Sequence, residues 1–196
     1  MLTPFTITPG WLDSYLKSRQ DGTPDREARV GACVAAGTTG KSFARCRIAS
    51  GGLTVPVEGG AHALKSARPG SPFDPPLSDH GKWRREHLGA WHATYSRTPY
   101  FAHLMPDIEQ VYAASEMPEE TVAEGAVSSG GISTLEEFNS ALLGVVLSWL
   151  DTDALRTDPR IHRRMHPEIT LLVEDDLSIF DLLFRIGPDA LFALNP

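Results

Sequence analysis

The stretch TLEEFNSALLGVVLSWL, residues 134–150, constrains the fold more than any other part of the chain. Leu135, Phe138, Leu142, Val145, Val146 and Trp149 recur at helical spacing and form one apolar stripe. Thr134, with Glu137 three residues later, makes the capping box that starts a helix. The stripe predicts that these six side chains are mostly buried. Leu142→Ala is then expected to cost about 2–5 kcal/mol, as for large-to-small core changes generally.

The remaining segments supply what such a helix can pack on. Trp11, Leu12, Tyr15 and Leu16 in GWLDSYLKSR predict a helix over 10–19. PFTIT (4–8), ARVGACVAA, SFARCRIAS and LTVPVE read as strands, and Gly51-Gly52 between the last two reads as a hairpin turn. Residues 59–77 are rich in glycine and proline and read as a long loop. A helix is expected from Ser78 or Asp79, either of which can cap it, to just before Thr98-Pro99. MPDIEQVYAAS reads as another helix with Pro106 in its first turn. Residues 117–133 and 151–168 read as irregular, and IFDLLFRI as a short apolar helix or strand. The expected class is α+β: one compact domain over 1–196, β-rich over 1–58, looped over 59–77 and mainly helical over 78–196.

Charge and composition exclude several functions. The net charge is −7, which argues against a large nucleic-acid surface. No apolar run approaches the roughly 20 residues of a membrane span. The start, MLTPFTITPGW, lacks the basic and apolar regions of a signal peptide. Cys33 and Cys46 read as free thiols, so the expected location is the cytoplasm.

GTTGKS, residues 37–42, ends as a phosphate-cradling loop ends. The full pattern needs glycine where Ala35 stands, and a helix after Ser42 to complete the anion site. The residues after Ser42 read as strand, so GTTGKS is expected to be a loop between two strands. On that reading Lys41→Ala leaves nucleotide affinity nearly unchanged.

The densest chemistry lies in SDHGKWRREHLGAWHATYSRTPYF, residues 78–101. On a helix, Asp79, Trp83, His87 and Trp91 share one stripe, and His80 and Arg84 lie on the next. Arginine suits bidentate contact with phosphate or carboxylate, and histidine suits proton transfer near neutral pH. Arg45, His80, Arg84 and His87 are expected to converge on one cleft, with Arg84 partly exposed and Arg84→Ala weakening ligand binding at little cost in melting temperature. The alternative makes Trp83, Trp91 and Tyr95 a core face, with His87 hydrogen-bonded among them and Arg84 stacked on Trp or paired with a surface acid. His162 and His166 have the i, i+4 spacing of zinc ligands, but Pro167 works against a helix there, and no metal is assigned. Asp175-Asp176 reads as a cap for the helix that follows.

LTVPVE, followed after a loop by SDHGKWRREHLGAWHATYSRTPYF, resembles the WbqC-like protein family. The corresponding pieces are Arg45 in FARCRIAS, Leu53 to Val57, Trp83-Arg84 with His87, Tyr95, and Thr98 to Phe101. Later segments, FNSALL and LSIFDLLFRIGPDAL, extend the likeness over most of 41–194. The chain departs from the family pattern at its start, at CVAAGTT where acidic residues would sit, and at Ala44-Arg45 in place of Asn-Arg.

The resemblance implies a part in surface-polysaccharide or O-antigen synthesis. An enzyme acting on activated sugars would use His80 and His87 for proton transfer, and Arg45, Asp79, Trp83, Arg84 and Tyr95 to hold the ligand. A non-catalytic binding or assembly protein of the same machinery would use these residues for recognition. Either way the partner is a small molecule with an anionic group, such as a nucleotide sugar. No cofactor is specified.

Overall fold

The computed structural model describes residues 3–80, 82–116, 131–150 and 176–194. The chain begins with two packed helices, α1 (Pro9–Gln20) and α2 (Asp25–Ala35). Thr8 caps α1, accepting a hydrogen bond from the Trp11 N–H at 3.2 Å, and Pro9 takes the position where a missing N–H costs nothing. Trp11, Leu12, Tyr15 and Leu16 are buried as their spacing predicts, with the Trp11 and Tyr15 rings stacked at 5.4 Å.

The β-rich N-terminal half is not borne out. ARVGACVAA belongs to α2, not to a strand. Ala28, Ala32 and Cys33 are its buried residues, spaced to put small side chains on one side. Asp25 and Glu27 lie in its first turn, where the helix dipole favours negative charge. Residues 4–8 are not a strand either, although the Phe5 and Thr6 N–H groups donate to the Ser42 and Arg45 carbonyls at 3.3 and 3.1 Å.

The sheet of the described residues is one antiparallel pair, β1 (Arg45–Ile48) and β2 (Gly51–Thr54). Ile48 pairs with Gly51 and Arg47 with Gly52, so Ala49-Ser50 makes the turn and both glycines lie in β2. The reading of Gly51-Gly52 as the turn was therefore two residues late. Gly51 adopts φ +148°, a backbone conformation that side chains rarely take.

GTTGKS lies between a helix and a strand, not between two strands. Gly40–Phe43 forms a single 3-10 turn leading into β1. This reverses the strand–loop–helix order that a phosphate loop requires. Gly40 has a different use. A Cβ there would stand 2.2 Å from the Leu64 carbonyl oxygen and 2.9 Å from that of Ala67. Those carbonyls belong to the end of α3 (Gly60–Ser66) and the residue after it, so the predicted loop 59–77 contains a helix docked on this turn.

The second half is helical as expected, with shifted boundaries. α4 is Trp83–Tyr95, starting later than Ser78 or Asp79, and neither of those residues caps it. α5 is Phe101–Ala114, which places Pro106 inside the helix instead of in its first turn. α6 is Leu135–Trp149 and carries the predicted capping box between Thr134 and Glu137. Leu135, Phe138, Leu142 and Val146 are buried, while Val145 and Trp149 are half-buried at the stripe's edge. α7 is Ile179–Ile186, capped by Ser178 instead of the predicted aspartates; Asp175 lies outside the described residues. So do His162, His166 and the other segments expected to be irregular, apart from 131–133.

The core joins both halves of the chain. Phe138 meets the rings of Phe5, Trp83 and Tyr112 at centroid distances of 5.7, 5.7 and 5.1 Å. Trp91, Tyr95, Phe180 and Phe184 extend this aromatic layer to α7. Buried Asn139 donates from Nδ2 to the Thr3 and Phe43 carbonyls at 2.6 and 2.8 Å, tying α6 to the N-terminus and to the turn before β1.

Candidate functional site

Two places among the described residues bear on the expected site, and the structure keeps them distinct. The first is the buried face of α4. Trp83, Arg84, His87, Trp91 and Tyr95 all point inward. Arg84 is buried instead of partly exposed. Its Nε donates to the Ser115 hydroxyl at 2.8 Å and its Nη2 to the Ser115 carbonyl at 2.6 Å. The guanidinium lies 4.5 Å from the centre of the Trp83 ring, and exposed Asp79 approaches it at 3.6 Å. Trp83 itself donates from Nε1 to the Ser78 carbonyl at 3.1 Å.

His87 is held just as closely. Nε2 stands 3.2 Å from the Thr54 carbonyl, which can only accept, so Nε2 carries the proton. Nδ1, 3.1 Å from the Tyr112 hydroxyl, then accepts from it. The same hydroxyl accepts from Trp91 Nε1 at 3.3 Å. Burial lowers the His87 pKa from 6.5 to about 4, against a smaller upward pull from the Thr54 carbonyl, so the ring is neutral near pH 7. Tyr95 accepts from the Ala49 N–H at 3.2 Å, and burial pushes its pKa up. His80 is exposed, with its backbone N–H on Ser78 Oγ.

These contacts reverse one expectation. Arg84→Ala should lower stability by about 1.5–3 kcal/mol, the range for hydrogen bonds to a charged group, because Ser115 loses both its guanidinium contacts. Urea unfolding of the two proteins checks this; superimposable curves would mean that the Ser115 contacts contribute nothing.

The second place lies where the turn Gly40–Phe43 meets β1. Two cavities open there, and Lys41 and Arg45 line both. The larger, about 730 Å³, runs between this turn, the end of β2 and α3. Val55, Pro56, Val57 and Leu64 give it apolar walls, and Lys65 adds a third cation. Among the described residues no carboxylate lines it, and none pairs with Lys41, Arg45 or Lys65. The smaller, about 410 Å³, is bounded by the start of α1, the end of α2 and Asp176.

Of the expected site residues only Arg45 lines these cavities; His80, Arg84 and His87, expected to share its cleft, do not, nor do Asp79, Trp83 and Tyr95. One backbone link connects the two places. Thr54, whose carbonyl accepts from His87, lines the larger cavity and is the β-pair partner of Arg45. Lys41 and Lys65 were missed by sequence reasoning. Lys41 stands in a motif that fails as a phosphate loop, and Lys65 in a segment whose glycines and prolines point to a loop. A signal existed in the cations at 41, 45 and 47 within a net acidic chain.

Among the described residues no group of three or more His, Cys, Asp or Glu is placed to hold a metal ion. No described helix is long and apolar enough to cross a membrane. Residues 40–129 match the WbqC-like protein family, a shorter reach than the resemblance over most of 41–194. The match takes in Lys41, Arg45, Lys65 and all of α4. No curated protein and no solved structure matches the chain.

Proposed function

We propose that this WbqC-like segment binds the anionic part of an activated sugar in surface-polysaccharide synthesis, and that Lys41, Arg45 and Lys65 hold it. The observation that carries this reading is a groove with apolar walls lined by three cations that, among the described residues, have no carboxylate beside them. Its volume, about 730 Å³, falls within the range of small-molecule sites. Arginine gives a planar fork for phosphate oxygens, and lysine a mobile point charge. Among the described residues the lining of both cavities contains no histidine, which favours recognition over proton transfer by His80 or His87. In this reading His87 is a positioning residue. It anchors the Thr54 carbonyl and so the strand that carries Arg45's partner.

Titration calorimetry with UDP-glucose and with inorganic pyrophosphate tests the proposal. Lys41→Ala and Arg45→Ala should each weaken binding by about 1.5–3 kcal/mol, the loss expected for hydrogen bonds to charged groups. This replaces the expectation that Lys41 is indifferent. Both side chains are exposed, so melting temperatures should stay close to the parent's. Wild-type protein that binds neither ligand, or variants that bind as tightly as the parent, would end this reading.

A further inference from the structure

The smaller cavity is not used by the reading above, yet it shares Lys41 and Arg45 with the larger one. Its lining differs in chemistry. Thr8, Thr38 and Ser42 offer hydroxyls, and Asp176 offers a carboxylate. The Thr8 hydroxyl accepts from the Trp11 N–H at 3.2 Å, which leaves its own proton free to donate. Asp176 also pairs with Arg47, which holds it at the cavity's edge. Donors and acceptors in this mixture suit a polyhydroxylated group, whereas the larger cavity offers apolar walls.

We infer that the two cavities are the halves of one bipartite site for a glycosyl diphosphate. The smaller cavity takes the glycosyl group, Lys41 and Arg45 straddle the diphosphate, and the larger groove takes the apolar or aromatic group on the other side. The inference rests on the anion reading of Lys41 and Arg45 and adds the orientation and substrate class. The apolar group can be a nucleoside or an isoprenoid chain, since both are joined to a sugar through a diphosphate.

Two exposed alanines allow each half to be blocked separately. Ala36 follows α2 in an ordinary helical conformation, φ −81°, and lines the smaller cavity; Ala61 lies on α3 and lines the larger. Calorimetry would compare UDP, UDP-glucose and geranyl diphosphate on wild type, Ala36→Trp and Ala61→Trp, with thermal scans to confirm folding. On wild type, UDP-glucose should bind at least about tenfold tighter than UDP, equivalent to about 1.4 kcal/mol. Ala36→Trp should abolish that ratio and leave UDP affinity unchanged. Ala61→Trp should weaken UDP or geranyl diphosphate about tenfold or more, and the one that loses more identifies the group the groove takes. Equal affinity of UDP and UDP-glucose on wild type, or a ratio that survives Ala36→Trp, overturns the bipartite site while leaving the anion reading in place. If UDP, geranyl diphosphate and inorganic pyrophosphate all fail to bind wild type, the anion reading itself falls, and this inference with it.

Discussion

Phe138→Ala should cost about 3–5 kcal/mol of folding stability, the range for removing a buried aromatic ring. The side chain is 0% exposed and meets Phe5, Trp83 and Tyr112 edge-on. Those rings come from the N-terminal segment, α4 and α5, so the cavity left behind would be walled by parts of the chain that cannot all relax toward it. Domains are stable by only about 5–15 kcal/mol, so this change would remove a large share. The adjacent Asn139 fastens Thr3 and Phe43, and a loosened α6 would disturb the turn that carries Lys41. Urea unfolding gives the test: a midpoint within experimental scatter of the parent's would mean that Phe138 is not central to the core.

Acid should destabilise the protein well above the carboxylate range, through His87. Its pKa in the folded protein is about 4, below the 6.5 of the free side chain. Between those values the unfolded chain binds a proton that the folded protein excludes. Stability therefore rises with pH across this window and falls as pH drops through it. The loss should reach about 2 kcal/mol by pH 5 and about 3 kcal/mol once both states are protonated, at 1.36 kcal/mol per pKa unit. Glu137 acts in a separate window. Burial pushes its pKa up, but hydrogen bonds from Ser133 and Thr134 outweigh this and bring it below 4.5. The stability it contributes is present above the unfolded value and lost as pH falls below it. His87→Gln, neutral at every pH, should flatten the dependence between pH 7 and pH 5 whatever its stability at pH 7. Parallel pH profiles for the two proteins would show that His87 is not the source.

Protonation of His87 would also place a second donor at Nδ1, opposite the Tyr112 hydroxyl, which already accepts from Trp91. Tyr112 would then have to turn its own proton elsewhere inside the core. The neutral ring satisfies every member of this set. Its cost on protonation, and its contact with Thr54 behind the cation-lined groove, are consequences of one arrangement.

How much of this was legible depended on whether a signal was local. The helix α6 could be read because its capping box and its stripe lie within one short stretch, and both act through neighbours three or four residues away. The same holds for α1, where Thr8, Pro9 and the buried aromatic face are contiguous. The helix α2 was misread because its buried side is made of the small residues Ala28, Ala32 and Cys33, while Val30 and Val34, which are not buried, imitate a strand. The Gly51-Gly52 pair marked a hairpin correctly, but register is set by which side chains must face the core, and Cys46, Ile48 and Leu53 decided it.

The face of α4 shows the limit most clearly. Spacing alone placed Trp83, Arg84, His87 and Trp91 on adjoining stripes and could not say whether those stripes met ligand or core. Tyr112 from α5, Ser115 just after it, and the carbonyl of Thr54 from β2 decided it by bonding Arg84, His87 and Trp91 inside the protein. The cations that do reach a cavity, Lys41, Arg45 and Lys65, come from a turn, a strand and a short helix that only tertiary packing brings together. The sequence by itself determined the elements whose caps and stripes are local; the site was left to the tertiary structure, because contacts between residues distant in the chain leave no periodic trace along it.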